Sequence, residues 1–526
     1  MKRFNVTGTC VGHKHYMVDI SGKLDEIEKL IEAEHYFTIN RARQYGKTTT
    51  LLHLERRLVA SSEYLVASIT FGNVGLSVFD TEENFCNMFL QKISDALAIS
   101  GANEEYAKKW YQADVTCIGS LDRHLTKMCK NVKVVLMIDE VDKSSNNRLF
   151  LHFLGLLREK YLSRQGGKDY AFHSVILAGV TDIKNLKLKL INDGVYELLK
   201  DEGRVVNSPW NIAADFDVDM SFSIEDISTM LDNYEADNST GMDVYAIASE
   251  IHYHTNGYPF LVSRICKHID EKLGKIWTTE GVSQAVQIIL SERSVLLDDF
   301  AKNLNNNGDL RNFLYELHIL GEHKSFTLSN ITIDLAHSFA YIKKGERSKA
   351  IISNRIFESY LTDYYIAKDE NSPVTKRVPG VIYQDVIKDG KFDMAACLSK
   401  FAEHYKEIYA SKDIEFHERH GRLLFLSYLT PLLNGQGRFY IESQFTDSRR
   451  MDVLVDFEKE QYIVELKIWR GEAAKEKAYE QLLGYMESKN ALEGYLLTFD
   501  FRKHKTGEHS PNWVEIGGRR IFDVVV

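Results

Sequence analysis

The chain has 526 residues, 44% hydrophobic and 27% charged, with a formal net charge of -10. That length exceeds a single hydrophobic core and implies roughly three or four domains. The acidic sum argues against a chain coated in nucleic acid but leaves room for a local basic groove. Six scattered cysteines with no Cys-x-x-Cys pair argue against a disulfide framework or structural zinc site. Only 6 prolines suggest domains that abut. No apolar run approaches the ~18 residues needed to span a bilayer. The start, Met1-Lys-Arg-Phe-Asn-Val, lacks a secretory apolar region. The expectation is a cytoplasmic protein with no membrane partner.

In chain order, Lys23 to Ile31 reads as an amphipathic helix, and Tyr36 to Asn40 as an apolar strand. Further strands are expected over Tyr64 to Thr70, Val132 to Ile138 and Ser174 to Ala178. Helices Glu83 to Leu97 and Leu149 to Tyr161 lie between them, and this alternation predicts a parallel α/β sheet. From Ser223 to about Ile289 the pattern is all helical, with helices over Ile224 to Tyr234, Val244 to His252 and Phe260 to Leu273. Leu310 to Ile366 mixes short helices with strand-like Phe339 to Ile342 and Ala350 to Ser353, a pattern compatible with a winged helix. Lys368 to Arg377, with Pro373, is the linker candidate, and α/β character returns from about Val378.

The first strand opens into Arg41-Ala-Arg-Gln-Tyr-Gly46-Lys47-Thr48, close to the triphosphate loop G-x-x-x-x-G-K-[ST] but with Arg41 in place of the first glycine. Leu51, Leu54 and Leu58 then share one helical face. Val134 to Ile138 ends in Asp139-Glu140, which puts carboxylates at the carboxyl edge of the sheet, where parallel α/β sheets bind ligands. In this reading Lys47 neutralises the β- and γ-phosphates, Thr48 ligates Mg²⁺, Asp139 holds it through water, and Glu140 polarises the attacking water. Arg41, Arg43 and Thr49 complete the expected contacts on the loop. Solvated loop cations are the plainer reading of the two arginines. Thr181 and Asp182 follow the fourth strand, and they suit either γ-phosphate sensing or helix capping. Gly257-Tyr258-Pro259 opens a helix carrying Arg264 and is a candidate lid over the base.

Phe37 to Thr48, Val135 to Lys143 and Ser208-Pro-Trp-Asn-Ile-Ala213 together resemble the bacterial AAA-like ATPase family. Members of that family often carry a C-terminal PD-(D/E)XK nuclease-like domain, and related Arg-x-Arg-x-x-Gly-Lys ATPases also lack the first glycine. The resemblance implies an α/β multidomain protein with ATP and Mg²⁺ as cofactors. Its parts would be a P-loop core (1–220), a helical lid (221–300), a winged-helix-like module (301–370) and a nuclease-like domain (371–526). It also raises a homo-oligomer in which a neighbour supplies an arginine. Arg158 and Arg164 are candidates for that finger, with a surface role as the alternative.

Near the C-terminus, Arg450 to Trp469 reads as a hairpin with a two-residue turn at Glu458-Lys459. This register pairs Phe457 with Glu460, Val455 with Tyr462, Val453 with Val464 and Asp452 with Glu465. Val453, Val455, Val464, Leu466 and Ile468 then form the packed face, with Asp452, Glu465 and Lys467 on the other. Opposed side chains stand about 5 Å apart. Two carboxylates that close repel unless a cation lies between them, so Asp452 and Glu465 are candidate Mg²⁺ or Mn²⁺ ligands. Lys467 is placed to position the water or stabilise charge on the phosphate. The pattern resembles the Asp…Glu-x-Lys signature of PD-(D/E)XK nucleases. That resemblance adds Glu418 as a further metal ligand, in competition with Glu415 and Glu442, and Gln481 on the stripe of Ala474, Ala478 and Tyr485. A charged, solvated hairpin face explains the same alternation. Trp469 and Arg470, and Arg347, Lys349 and Arg355 in the winged-helix segment, are candidate nucleic-acid contacts.

The leading expectation is an ATP-binding AAA-like ATPase coupled to a metal-dependent DNA nuclease. The alternatives are a nucleotide-dependent switch with a non-cleaving C-terminal domain, and a DNA-binding regulator.

Overall fold

The structure is a computed structural model. It describes residues 2–111, 114–143, 147–180, 210–370, 386–388, 391–409, 414–433, 437–440, 453–457, 460–469, 471–500 and 510–526. The chain forms two compact units. One comprises Met1–Val286 with Ser329–Tyr341, the other Gln287–Leu328 with Ile342–Val526.

The first unit begins with α1 (Ser21–Glu32), β1 (Tyr36–Asn40), α2 (Lys47–Ser61) and β2 (Leu65–Thr70). Next come α3 (Glu82–Ile99), α4 (Glu104–Trp110), α5 (Ile118–Met128), β3 (Val134–Asp139), α6 (Arg148–Gln165) and β4 (Ser174–Gly179). The sheet order is β1-β4-β3-β2, and every pair is parallel. All residues of β3 and β4 are buried, as expected for central strands covered on both faces. Phe37, Ile39, Val135 and Met137 pack with Leu24, Ile27, Leu51 and Leu54 of α1 and α2. Tyr36, Val134, Leu136 and Ile138 point the other way, into Phe85, Phe89, Phe150 and Phe153 of α3 and α6. Outside β1, Ala214 makes a parallel bridge to Phe37, and Trp210 stacks on Tyr36 at 6.0 Å. The third strand starts at Val134, two residues later than expected, because the Val132 N–H is turned back to the Cys129 carbonyl.

Among the described residues the next helices are α7 (Ile224–Asn238), α8 (Val244–Thr255), α9 (Pro259–Glu271) and α10 (Thr279–Ser291). Ser223 and Asp226 form a reciprocal capping box at the start of α7. Pro259 occupies the first turn of α9, where its missing N–H costs nothing.

Beyond them lie α11 (Val295–Asn306), α12 (Gly308–His318), α13 (Ile331–Ser338), β5 (Ile342–Lys344), β6 (Ala350–Ile352) and α14 (Arg355–Glu370). β5 and β6 form an antiparallel hairpin. The strand expected from Phe339 starts at Ile342 instead, because Phe339 caps α13 and Ala340 turns the chain at φ 55°. Lys368, expected in a linker, is still helical, and 371–377 fall outside the described residues.

The C-terminal segment contains β7 (Ile387–Lys388), β8 (Lys391–Phe392), α15 (Met394–Tyr409), α16 (Ile414–Leu433) and β9 (Gly437–Tyr440). It continues through β10 (Val453–Phe457), β11 (Glu460–Ile468), α17 (Glu472–Ser488), β12 (Glu493–Phe499), β13 (Asn512–Ile516) and β14 (Arg519–Val525). Its sheet order is β13-β14-β12-β11-β10-β9, with β11, β12 and β14 parallel. All six cysteines are free. Among the described residues no helix is long and apolar enough to cross a membrane.

Candidate functional site

β1 delivers the chain to the carboxyl edge of its sheet, where the Arg41 N–H donates to the Gly179 carbonyl at 3.2 Å. The loop then turns through two left-handed residues, Gln44 at φ 58° and Gly46 at φ 82°. Gly46 is the N-cap of α2 and supplies no side-chain cap. The first N–H groups of α2 are thus donors of the kind that hold anions at helix N-termini. The Lys47 ammonium lies across the loop and donates to the Arg41 and Ala42 carbonyls, both at 2.8 Å. Burial pulls its pKa down to about 8, partly opposed by the Asp139 and Asp142 carboxylates.

The Thr48 hydroxyl donates to Asp139 Oδ2 at 2.6 Å, across 91 positions of sequence. The other Asp139 oxygen accepts the Glu140 N–H at 2.9 Å. Glu140 is exposed and left-handed, at φ 58°, and so leaves the strand direction at the sheet edge. Asp142 accepts the Val180 N–H at 3.2 Å and ties the ends of β3 and β4 together. A hydroxyl and a carboxylate in contact beside a half-buried lysine are a hard-oxygen donor set that suits Mg²⁺ with a phosphate.

A cavity of about 360 Å³ adjoins this loop. Its walls come from the N-terminal segment (Val6, Cys10, Val18), the phosphate loop and α2 (Tyr45, Thr49), and the helical segment (Phe222, Met230, Phe260). The N-terminal segment is held at both ends. The Cys10 N–H donates to Thr49 Oγ1 at 3.2 Å. Phe4 and Tyr16 join Tyr234 and Trp277 in an aromatic cluster with centroid spacings of 4.8–5.9 Å.

In the C-terminal sheet, β10 and β11 pair Val453 with Val464, Val455 with Tyr462 and Phe457 with Glu460, the register expected from the sequence. The face carrying Glu465 is not a solvated one. Leu454 and Ile463 share it and pack under Ala478, Leu482 and Met486 of α17, and Glu465 itself is 0% exposed. The Lys467 ammonium pairs with Glu465 at 2.6 Å and is one-third exposed. Gln481 is half-buried on α17, between the buried Ala478 and Tyr485. Among the described residues no three His, Cys, Asp or Glu side chains gather as a metal-ion group.

The AAA-like domain family matches residues 14–363. The chain belongs to that family. Among solved structures it is similar to the Walker-type ATPase of Pyrococcus abyssi, at 11% identity over 68% of this chain and 99% of that one, with a TM-score of 0.46. It is also similar to the RuvB Holliday junction branch migration motor of Thermotoga maritima, at 12% identity, 68% and 96% coverage and a TM-score of 0.33. A further match is the ORC1 protein of Aeropyrum pernix in complex with DNA, at 13% identity, 67% and 94% coverage and a TM-score of 0.29. No curated protein matches the chain.

Within this AAA-like domain the loop residues divide. Lys47, Thr48 and Asp139 converge, and Arg43 is exposed on the loop. Arg41, expected beside phosphate, turns away. It donates to the carbonyls of Asn40 at 2.9 Å and Val218 at 2.8 Å and stacks over Phe216. The Thr49 hydroxyl serves the N-terminal segment. Arg164, a candidate finger, lies instead over Tyr36 and Tyr161 and donates to the Phe172 and His173 carbonyls. Arg158 is held by Asn211 and Glu159. Thr181, Asp182, Glu442, Asp452, Arg470 and the Glu458-Lys459 turn lie outside the described residues, as do the side chains of Glu415 and Glu418. The cavity wall from residues 5–18 was missed by sequence reading. Its only signal was a run of small and apolar residues, Val6-Thr-Gly-Thr-Cys-Val-Gly12, without periodicity.

Proposed function

We propose that this AAA-like domain binds and hydrolyses ATP, with the base in the cavity beside α2 and the triphosphate along residues 43–48. The observation that carries the reading is the 2.6 Å contact between Thr48 and Asp139 next to the half-buried Lys47. Lys47 would exchange the Arg41 and Ala42 carbonyls for β- and γ-phosphate oxygens, and the α2 N-terminus would add N–H donors. Thr48 and Asp139 would hold Mg²⁺, which when bound neutralises charge between those phosphates. Glu140, exposed at the sheet edge, would orient the attacking water. Thr181 is proposed as the γ-phosphate sensor and Arg43 as a further loop cation.

The C-terminal segment is proposed as a PD-(D/E)XK-like domain, with Asp452, Glu465 and Glu418 as metal ligands and Lys467 and Gln481 beside the scissile phosphate of DNA. The β10–β11 register supports this, because Val453 stands opposite Val464 as the hairpin reading expects. The β5–β6 hairpin between α13 and α14 supports a winged-helix-like module over 301–370. In it Arg347, Lys349 and Arg355 are proposed DNA contacts. The four-part division at 220, 300 and 370 is retained as a proposal. Full burial of Glu465 and its pairing with Lys467 favour a second reading, a nucleotide switch whose C-terminal domain binds without cutting.

One experiment separates the two readings. DNA is incubated with wild type, Lys47→Ala and Lys467→Ala, with Mg²⁺ or Mn²⁺ and with or without ATP, and both phosphate release and cleavage are read. The nuclease reading expects cleavage that Lys467→Ala abolishes, and ATP turnover that Lys47→Ala abolishes. ATP turnover with no cleavage by wild type selects the switch.

A further inference from the structure

Three consecutive carbonyls of the phosphate loop are held by side-chain donors. The first two, of Arg41 and Ala42, accept from Lys47. The third, of Arg43, accepts from the Tyr258 hydroxyl at 2.6 Å. Tyr258 is far away in sequence, immediately before α9, and is 2% exposed. Its ring meets Tyr45 edge-on, at 4.7 Å between centroids and 70° between planes.

The two sets of bonds have different fates when a triphosphate enters. Lys47 must leave its carbonyls to reach phosphate oxygens, whereas the Tyr258 bond does not involve Lys47. A peptide group is planar and trans, so its C=O and the next N–H point in opposite directions. Holding the Arg43 carbonyl against Tyr258 therefore aims the Gln44 N–H the other way. Gln44 is left-handed, the conformation that builds N–H concavities for anions.

Tyr258 is itself fixed to the helical segment. The Phe222 N–H donates to the Gly257 carbonyl at 2.9 Å, and the Val262 N–H closes the first turn of α9 onto the Tyr258 carbonyl at 3.0 Å. Gly257 sits at φ +71°, and an added Cβ would stand 2.0 Å from the Phe222 carbonyl oxygen.

We propose that Tyr258 is a positioning residue: it sets the Gln44 N–H for the β- and γ-phosphates and so makes triphosphate affinity depend on the placement of α9. The proposal rests on the ATP reading above and adds a specific link between phosphate loop and lid.

The test compares wild type with Tyr258→Phe, which keeps the ring and removes the donor. Affinities for ATP, ADP and adenosine are measured by competition against a fluorescent ATP analogue. Amide hydrogen exchange is followed over 41–48 and 257–262. The expected result is an approximately tenfold loss for ATP and ADP, the scale of one lost hydrogen bond, with adenosine unchanged. In wild type, ATP is expected to protect both segments together, and in the variant only the loop. Equal ATP affinity in the two proteins overturns the proposal. So does an equal loss for adenosine, which would mark a merely structural role. In wild type alone, loop protection without protection of 257–262 also overturns it. A wild type that binds no ATP removes the nucleotide reading itself, and the proposal with it.

Discussion

Gly257 is the position where the turn before α9 admits no side chain. Its φ of +71° and the 2.0 Å approach of the Phe222 oxygen impose two separate penalties on any Cβ. The left-handed conformation alone costs about 1 kcal/mol for alanine, and the overlap forces the backbone apart. Gly257→Ala is expected to lower the melting temperature by several degrees and to weaken ATP binding by displacing Tyr258. Thermal denaturation and the same competition assay check both, and an unshifted melting temperature would contradict the account. Arg41 illustrates the limits of reading residues from sequence alone. It is a cation in a phosphate motif, yet its donors are used by the Val218 carbonyl, 177 positions away. No local pattern announces such a partner.

At the scale of elements, α5 and α6 are joined by a buried charge. Lys160 of α6 is 2% exposed and reaches Asp169 Oδ2 at 2.7 Å, the Asp122 carbonyl at 3.1 Å and the Asp122 carboxylate at 3.2 Å. Burial pushes the Asp169 carboxyl up, but hydrogen bonds from Lys160, Thr126 and the Tyr170 N–H outweigh it. The net result lies below its ordinary value. Its stabilising contribution is therefore complete above the ordinary carboxylate pKa of about 4 and is lost as pH falls through the depressed folded value. Asp169→Ala is expected to cost about 3 kcal/mol at pH 7, the lower end for breaking a buried pair, since Asp122 remains. Urea unfolding at pH 7 and in acid checks this, and the gap to wild type should shrink on acidification.

Elements with strong periodicity were legible in the sequence. β1 to β4 announce themselves as short apolar runs. The β10–β11 register follows from period-2 alternation and a two-residue turn. The burial of Glu465 was not legible. Leu454 and Ile463 lie on its face, but only the apolar stripe of α17, Leu482 and Met486, shows that this face is covered. The N-terminal wall of the cavity escaped for the opposite reason. It has no repeat, and its partners, Thr49 and Tyr234, are supplied by the fold.

Across the whole molecule, two compact units with separate cores are expected to unfold in more than one step. A ligand that binds only the folded first unit, which holds the phosphate loop, stabilises it by about 2.7 kcal/mol at one hundred times its Kd. Scanning calorimetry is therefore expected to show Mg²⁺-ATP raising one transition and leaving another in place, with Lys47→Ala erasing the shift. A uniform shift of all transitions would contradict separate units.

The strand order has a temporal side. β1, which carries the phosphate loop, pairs with β4, so Tyr36 to Asn40 must wait for Val175 to Gly179 before acquiring a neighbour in the sheet. On a translating ribosome the early glycine-lysine turn emerges first but stays unsupported until the fourth strand has been made. Nucleotide is then expected to seal a formed core rather than to template the nascent chain.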